Sequence, residues 1–179
     1  MQLEFPFTGS VIPDQYGDHI PTAEKLHGLN QVSLPFKVTE IPANAVVLAG
    51  TLVDYDTVSF VGFPWLHWVF TDVPVHGQTV TFATDASRRA TFAQGLNSLH
   101  SPFQRLRQPD WPLLKERKNL ESHYAGPRPV SGVHTYRLTV YALSQPTNLS
   151  NGFLQGDLMA LLDERLLAVA GRNLTYAKA

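Results

Sequence analysis

Residues 134–143 of the chain read His-Thr-Tyr-Arg-Leu-Thr-Val-Tyr-Ala-Leu. In a β-strand successive side chains point to opposite faces, so every second residue shares a face. One face of this stretch carries His134, Tyr136 and three aliphatic residues, whereas the other carries two threonines, an arginine and a tyrosine. The alternation predicts a half-buried strand. It also places a histidine and a tyrosine at the start of the apolar face.

Similar runs rich in Val, Thr, Phe and Tyr recur through the chain, separated by its 12 Gly and 13 Pro. This punctuation is typical of an antiparallel β protein. We predict further strands at residues 46–53, 66–73 and 79–83. The fold class that follows is mainly β.

One helix is predicted near the C-terminus, over residues 157–170. Its leucines and a valine share one face, Asp157 is suited to cap the first turn, and Gly171 is suited to end the last. We expect this helix to pack against the sheet. A short final strand is expected at residues 173–176.

Length and composition point to one soluble domain spanning all 179 residues. A formal charge of −1 with 44% apolar residues is an ordinary globular balance and favours no nucleic acid partner. Because the chain has no Cys, disulfides, thiolate nucleophiles and Cys-based zinc sites are excluded. The first residues do not resemble a signal peptide and no stretch is apolar enough to span a membrane, so we expect a cytoplasmic protein.

The segment 98–122 is polar, contains three prolines and shows no sustained periodicity. The stretch 88–118 holds seven of the 14 Lys and Arg, against Asp110 and Glu116. We expect a long cationic loop insertion with one helical turn around residues 113–118. It is either a solvated surface loop or a cationic lid that borders a pocket for an anionic ligand.

Polar residues that could carry chemistry lie at the predicted strand ends. Asp54 and Asp56 follow one strand, His67 opens the next, and His134 and Tyr136 open the last. A carboxylate that orients an imidazole leaves the other ring nitrogen to meet an anion. The same residue types could instead hold a divalent metal or act as general acid and base.

No diagnostic motif separates these chemistries, since metalloprotease, nucleophile-elbow, P-loop and dinucleotide-binding patterns are all absent from the sequence. A histidine that is simply hydrogen-bonded at a sheet edge is the plain alternative for His67 or His134 taken alone. The other five histidines lie in loop-like sequence and are expected at the surface: His19, His27, His76, His100 and His123.

Four motifs occur in an order that resembles a known family. Residues 31–38 read Gln-Val-Ser-Leu-Pro-Phe-Lys-Val before an apolar run that ends in Asp-Tyr-Asp at 54–56. Residues 67–74 read His-Trp-Val-Phe-Thr-Asp-Val-Pro, and 94–97 read Gln-Gly-Leu-Asn. Residues 124–136 read Tyr-Ala-Gly-Pro-Arg-Pro-Val-Ser-Gly-Val-His-Thr-Tyr. The chain resembles the phosphatidylethanolamine-binding protein (PEBP) family, in particular its bacterial Raf-kinase-inhibitor-like branch.

The chain departs from the family pattern at a few positions. Tyr55 stands where the family usually has proline after the first aspartate, Val38 replaces a tryptophan, and Leu34 and Val130 each replace a proline.

The resemblance implies an antiparallel β-sandwich, in which a large central sheet packs on a smaller one, with a C-terminal helix. It implies a pocket for phosphate or a phosphorylated head group, with no cofactor, no metal and no catalytic residue. A role in regulating a protein partner and a homodimer are also consistent with it. An Asp/His-dependent hydrolase or another small-molecule enzyme is the alternative. The pocket residues matched by the resemblance are Asp54, His67, Gly126, Pro127, His134 and Tyr136.

Overall fold

A computed structural model describes residues 1–178 as two antiparallel sheets packed face to face. The larger sheet has five strands, in spatial order β6 (Ala93–Gln94), β4 (Trp65–Pro74), β3 (Val47–Asp54), β7 (Val133–Leu143) and β8 (Leu166–Ala177). The smaller sheet has three strands, in the order β1 (Gln2–Glu4), β2 (Phe36–Thr39) and β5 (Val80–Phe82). The predicted mainly-β class and two-sheet arrangement are confirmed.

Strand β3 lies at the centre of the larger sheet and is buried on both faces. Leu48 and Leu52 face the core between the two sheets, where they join Trp68 and Phe70 of β4. The alternate residues of β3 belong to a second cluster, on the opposite side of the sheet. A strand with two apolar faces reads as a continuous hydrophobic run. This burial explains why residues 47–53 carry no charge.

The second cluster is covered by helix α4 (Gln155–Arg165), which contributes Leu158 and Leu162. The prediction placed a helix here correctly but extended it too far. β8 begins at Leu166 directly after the helix and pairs with β7 along almost its whole length. Continuous pairing with β7 therefore outweighs the local helical pattern beyond residue 165.

Two details of that helix prediction are also wrong. Gly171 does not end the helix, because it lies inside β8 opposite Thr139. Asp157 is not the N-cap residue; it lies in the first turn, where its carboxylate accepts the backbone N–H of Leu154 at 2.8 Å. A carboxylate in the first turn satisfies one of the free N–H groups of the helix start.

The segment 98–122 holds more regular structure than the loop with one helical turn around residues 113–118 that its sequence predicts. It forms α2 (Pro102–Arg107), α3 (Arg117–Ser122) and two short 3-10 turns. Its buried Trp111 donates from Nε1 to Glu121 Oε1 at 2.8 Å. Trp111 also packs with Leu99 and Leu120 in a small core of its own. This local core stabilises secondary structure that no sequence periodicity reveals.

A single-turn helix, α1 (Val58–Val61), follows β3, and two further 3-10 turns lie near the N-terminus at Asp14–Tyr16 and Thr22–Glu24. Among residues 1–178, no helix is long and apolar enough to cross a bilayer.

Candidate functional site

Strands β3 and β7 bring Asp54 and His134 together. Asp54 is the last residue of β3 and pairs in register with Tyr136, two residues after His134 on the same face of β7. His134 Nδ1 lies 2.7 Å from Asp54 Oδ2, and both side chains are buried. Because a carboxylate accepts hydrogen bonds, the imidazole proton lies on Nδ1. Asp54 therefore orients the ring of His134.

The turn after β3 is built by two aspartates. Asp54 Oδ1 accepts the backbone N–H of Asp56 at 2.9 Å, and Asp56 Oδ2 accepts the N–H of Thr135 at 2.7 Å. The side chain of Tyr55 between them is exposed. Together these two bonds fix the turn and tie it to the start of β7. The family usually has a proline in this turn, at the position of Tyr55.

His67 reaches the site through an irregularity in β4. Trp68 pairs with Leu52 and Leu66 pairs with Val53, so His67 is an extra residue with no partner on β3. A bulge of this kind redirects a side chain at a sheet end. His67 instead exchanges bonds with Ala125: Nδ1 donates to the carbonyl oxygen at 2.7 Å, and the His67 carbonyl accepts the Ala125 N–H at 2.9 Å.

Burial lowers the pKa of His67 below its ordinary value of 6.5, because it removes the water that would stabilise the cation. The Ala125 carbonyl and the charge of Asp54 act in the opposite direction but are the smaller effects. Asp54 alone would raise the pKa of His67, as a nearby carboxylate is expected to do, but burial outweighs it.

Tyr136 lies behind these residues. Its ring meets that of His67 edge to face, with 5.1 Å between the centroids. Its hydroxyl is buried and has no hydrogen-bond partner within residues 1–178. Burial and the negative charge of Asp54 raise the pKa of Tyr136. The phenol is thus held in its neutral form.

Gly126 is required by close packing. A Cβ at this position would lie 2.9 Å from the carbonyl oxygen of Tyr16 and 3.1 Å from that of Asn30. Its backbone N–H donates to the Asn30 carbonyl at 2.8 Å. Gly126 therefore shapes the site without offering a free donor.

A cavity of about 350 Å³ opens over these residues. We call Asp54, His67, Gly126 and His134 its floor. The walls are mainly apolar and include Leu29, Phe60, Trp65, Leu99 and Phe103. The rim carries the cations Arg107 and Arg128.

The comparisons agree with this fold. A family model described as phosphatidylethanolamine-binding protein matches residues 7–177. The chain belongs to this family. The Bacillus subtilis (strain 168) protein YxkA, itself uncharacterized, is similar, with 32% identity over 155 residues that cover 87% of each chain.

Two crystal structures share the PEBP fold. CT736 from Chlamydia trachomatis D/UW-3/CX, described as a PEBP homolog, has a TM-score of 0.73 and 22% identity, covering 99% of this chain and 97% of that one. YbcL of E. coli, described as a new member of the mammalian PEBP family, has a TM-score of 0.69 and 17% identity, covering 99% and 98%. At these identities the likeness concerns the fold.

Four of the six residues matched to the PEBP pattern line the cavity, and these are the four that form its floor. Pro127 and Tyr136 are buried behind the floor and do not line it. A ligand in this cavity would therefore not contact Pro127 or Tyr136.

Sequence reasoning missed several lining residues. His27, expected at the surface, lines the cavity and bonds through Nε2 to Glu116 at 3.0 Å. Phe103 and Arg107 come from α2, whose helical turns the sequence did not indicate. Arg128 could have been found, as could Ala125 and Val130, since all three lie inside the family motif at residues 124–136. As expected, the segment 98–122 borders the pocket.

Proposed function

We propose that this PEBP-family protein binds a small anionic group, phosphate or a phosphorylated head group, in the cavity above His67 and His134. One observation carries the proposal: both imidazoles are anchored through Nδ1, so both Nε2 atoms are left for a ligand. Neither Nε2 has a hydrogen-bond partner within the described chain. Two fixed ring nitrogens over one cavity form a preorganised polar site within apolar walls.

Protonation converts this floor into an anion site. A protonated imidazole donates from both nitrogens, and hydrogen bonds to ions are stronger than neutral ones. Asp54 holds the ring of His134 in place through their 2.7 Å contact. Arg107 and Arg128 at the rim add positive potential that attracts an anion from solution.

Regulation of a protein partner would use the same cavity. A phosphorylated side chain presents the same chemical group as a small phosphate ester. Phe60, which lines the cavity and is 54% exposed, offers an apolar contact to such a partner.

The hydrolase alternative has less support. Thr57 supplies the one hydroxyl among the described residues that line the cavity. Its Oγ1 is already bonded to the carbonyls of Asp54 and Phe63 and accepts the N–H of Trp65 at 2.9 Å. A covalent mechanism of the serine type therefore lacks a free nucleophile here.

Calorimetric titration with inorganic phosphate and with phosphoethanolamine at about pH 5.5 tests the proposal. We expect saturable binding that weakens by roughly 5–150-fold in His134→Ala, the loss of about 1–3 kcal/mol expected for a hydrogen bond to a charged group. The exposed His76, changed to Ala, is the matched control and should bind normally. No binding of either compound, or equal loss in both variants, would refute the proposal.

A further inference from the structure

The hydrogen bonds at the floor determine which nitrogen of each histidine carries the proton. The partner of His67 Nδ1 is the carbonyl oxygen of Ala125, and the partner of His134 Nδ1 is the carboxylate of Asp54, both at 2.7 Å. A carbonyl oxygen and a carboxylate can only accept. A neutral imidazole has one N–H, so in both rings it is on Nδ1. Each Nε2 then presents a lone pair to the cavity.

The rest of the floor supplies no compensating donor. Asp54 is itself an acceptor, and the Gly126 N–H is already bonded to Asn30. The Tyr136 hydroxyl lies behind the floor and does not line the cavity. Within residues 1–178, the neutral floor is therefore a set of acceptors, and the charged donors are at the rim.

The surroundings of the histidines disfavour the addition of a second proton to His67. His67 faces Asp54, His134 and the neutral phenol of Tyr136. Arg107, Arg128 and His27 lie at the rim of the same cavity. Burial disfavours the His67 cation, and a protonated His134 would disfavour it further. With both rings neutral, the floor thus lacks an N–H for a fully deprotonated anion.

We infer that the floor selects anions that bring their own proton, and so distinguishes hydrogen phosphate from sulfate. This inference rests on the proposed function. The P–OH of hydrogen phosphate donates to a bare Nε2, while its other oxygens face the rim cations. Sulfate has the same tetrahedral shape but carries no proton in this pH range. It binds only after the floor has taken up a proton from solvent.

Calorimetry at about pH 8 provides a matched pair, because hydrogen phosphate and sulfate are both dianions there and differ by one proton. Titrations in two buffers of different ionisation enthalpy report the protons taken up on binding. We expect phosphate to bind about tenfold tighter than sulfate or better, the scale of one hydrogen bond to an ion. At about pH 5.5 the difference between the affinities for phosphate and sulfate should be smaller. Sulfate binding should then show a heat that depends on the buffer, because protons are taken up.

Substitutions of the floor histidines test which residue produces the preference for phosphate over sulfate. His67→Asn keeps a donor for the Ala125 carbonyl but removes the ring lone pair, so it should lose most of the preference for phosphate at about pH 8. His134→Asn does the same toward Asp54 and serves as the second variant if the first does not fold. The exposed His76→Asn should keep the preference.

Two results separate this inference from the proposed function. Equal affinities for phosphate and sulfate at about pH 8, with heats independent of buffer, would overturn the inference and leave anion binding intact. Absence of binding for both anions at both pH values would overturn both proposals.

Discussion

His134 donates from Nδ1 to Asp54 Oδ2 over 2.7 Å, although 80 residues separate the two along the chain. Asp54 is only 1% exposed and His134 only 4%, so both groups are largely shielded from solvent. A buried donor left without its acceptor costs the full desolvation penalty of the group. The pair therefore contributes to the stability of the fold as well as to the floor of the cavity.

Asp54→Ala should lower the free energy of unfolding by about 1–3 kcal/mol, because it leaves the Nδ1–H of His134 and the N–H of Asp56 unpaired. Urea denaturation followed by fluorescence measures the change. Asp163→Ala, at an exposed position of α4, is the control and should stay within about 0.5 kcal/mol of the parent. An Asp54→Ala protein as stable as that control would contradict the prediction.

Stability should fall in mild acid because of His67. Its pKa is lowered by burial, so the unfolded chain binds a proton here at a higher pH than the folded chain does. The free energy of unfolding is then highest above about pH 6.5 and decreases as the pH falls from there toward the lowered pKa. His67→Asn cannot titrate and should show a smaller decrease between about pH 7 and 5. An unchanged slope in this variant would assign the effect to another group.

Comparing Ala variants of Arg107 and Arg105 distinguishes a role at the cavity from general electrostatic attraction of the anion. Both lie on α2 and are exposed, but only Arg107 lines the cavity. Arg107→Ala should weaken phosphate binding by about three- to tenfold at low ionic strength, and the effect should shrink near 0.15 M salt, where screening acts within about 8 Å. Arg105→Ala has the same charge change and should have a smaller effect. Equal effects would indicate that only net charge matters.

Gly126→Ala should destabilise the protein by about 1–3 kcal/mol, since its Cβ would press against the carbonyl oxygens of Tyr16 and Asn30. Gly156→Ala is the matched control, because nothing lies within 4 Å of a Cβ there and the residue is helical. Thermal unfolding should show a lower Tm for the first variant and an equal or higher Tm for the second. A Gly126→Ala protein with normal Tm would mean that the Tyr16 and Asn30 segments shift easily.

Much of the larger sheet could be predicted from local pattern. Alternation over residues 134–143 predicted β7 to within a residue, with His134 and Tyr136 buried on one face as expected. The strands predicted at 46–53 and 66–73 are also found, each shifted or extended by one residue at its ends. The predictions succeeded here because side chains in a strand alternate strictly between core and surface.

Prediction failed where pairing or packing between distant segments determined the structure. β8 starts at Leu166 because β7 offers a full-length partner, whereas the local pattern favours helix through residue 170. The segment 98–122 folds around Trp111 because Glu121 accepts its indole N–H. Neither contact leaves a periodic pattern in the sequence.

The sequence by itself determined the β class, the absence of cysteine chemistry and, by resemblance, the residues that gather at the floor. Only the tertiary structure decided that Pro127 and Tyr136 lie behind the cavity and that α2 supplies one of its walls. It also decided that each floor histidine keeps its proton on Nδ1. The nearest acceptor determines which ring nitrogen of a histidine carries the proton. For His67 that acceptor is a backbone carbonyl 58 residues away, a contact that no spacing within the chain specifies.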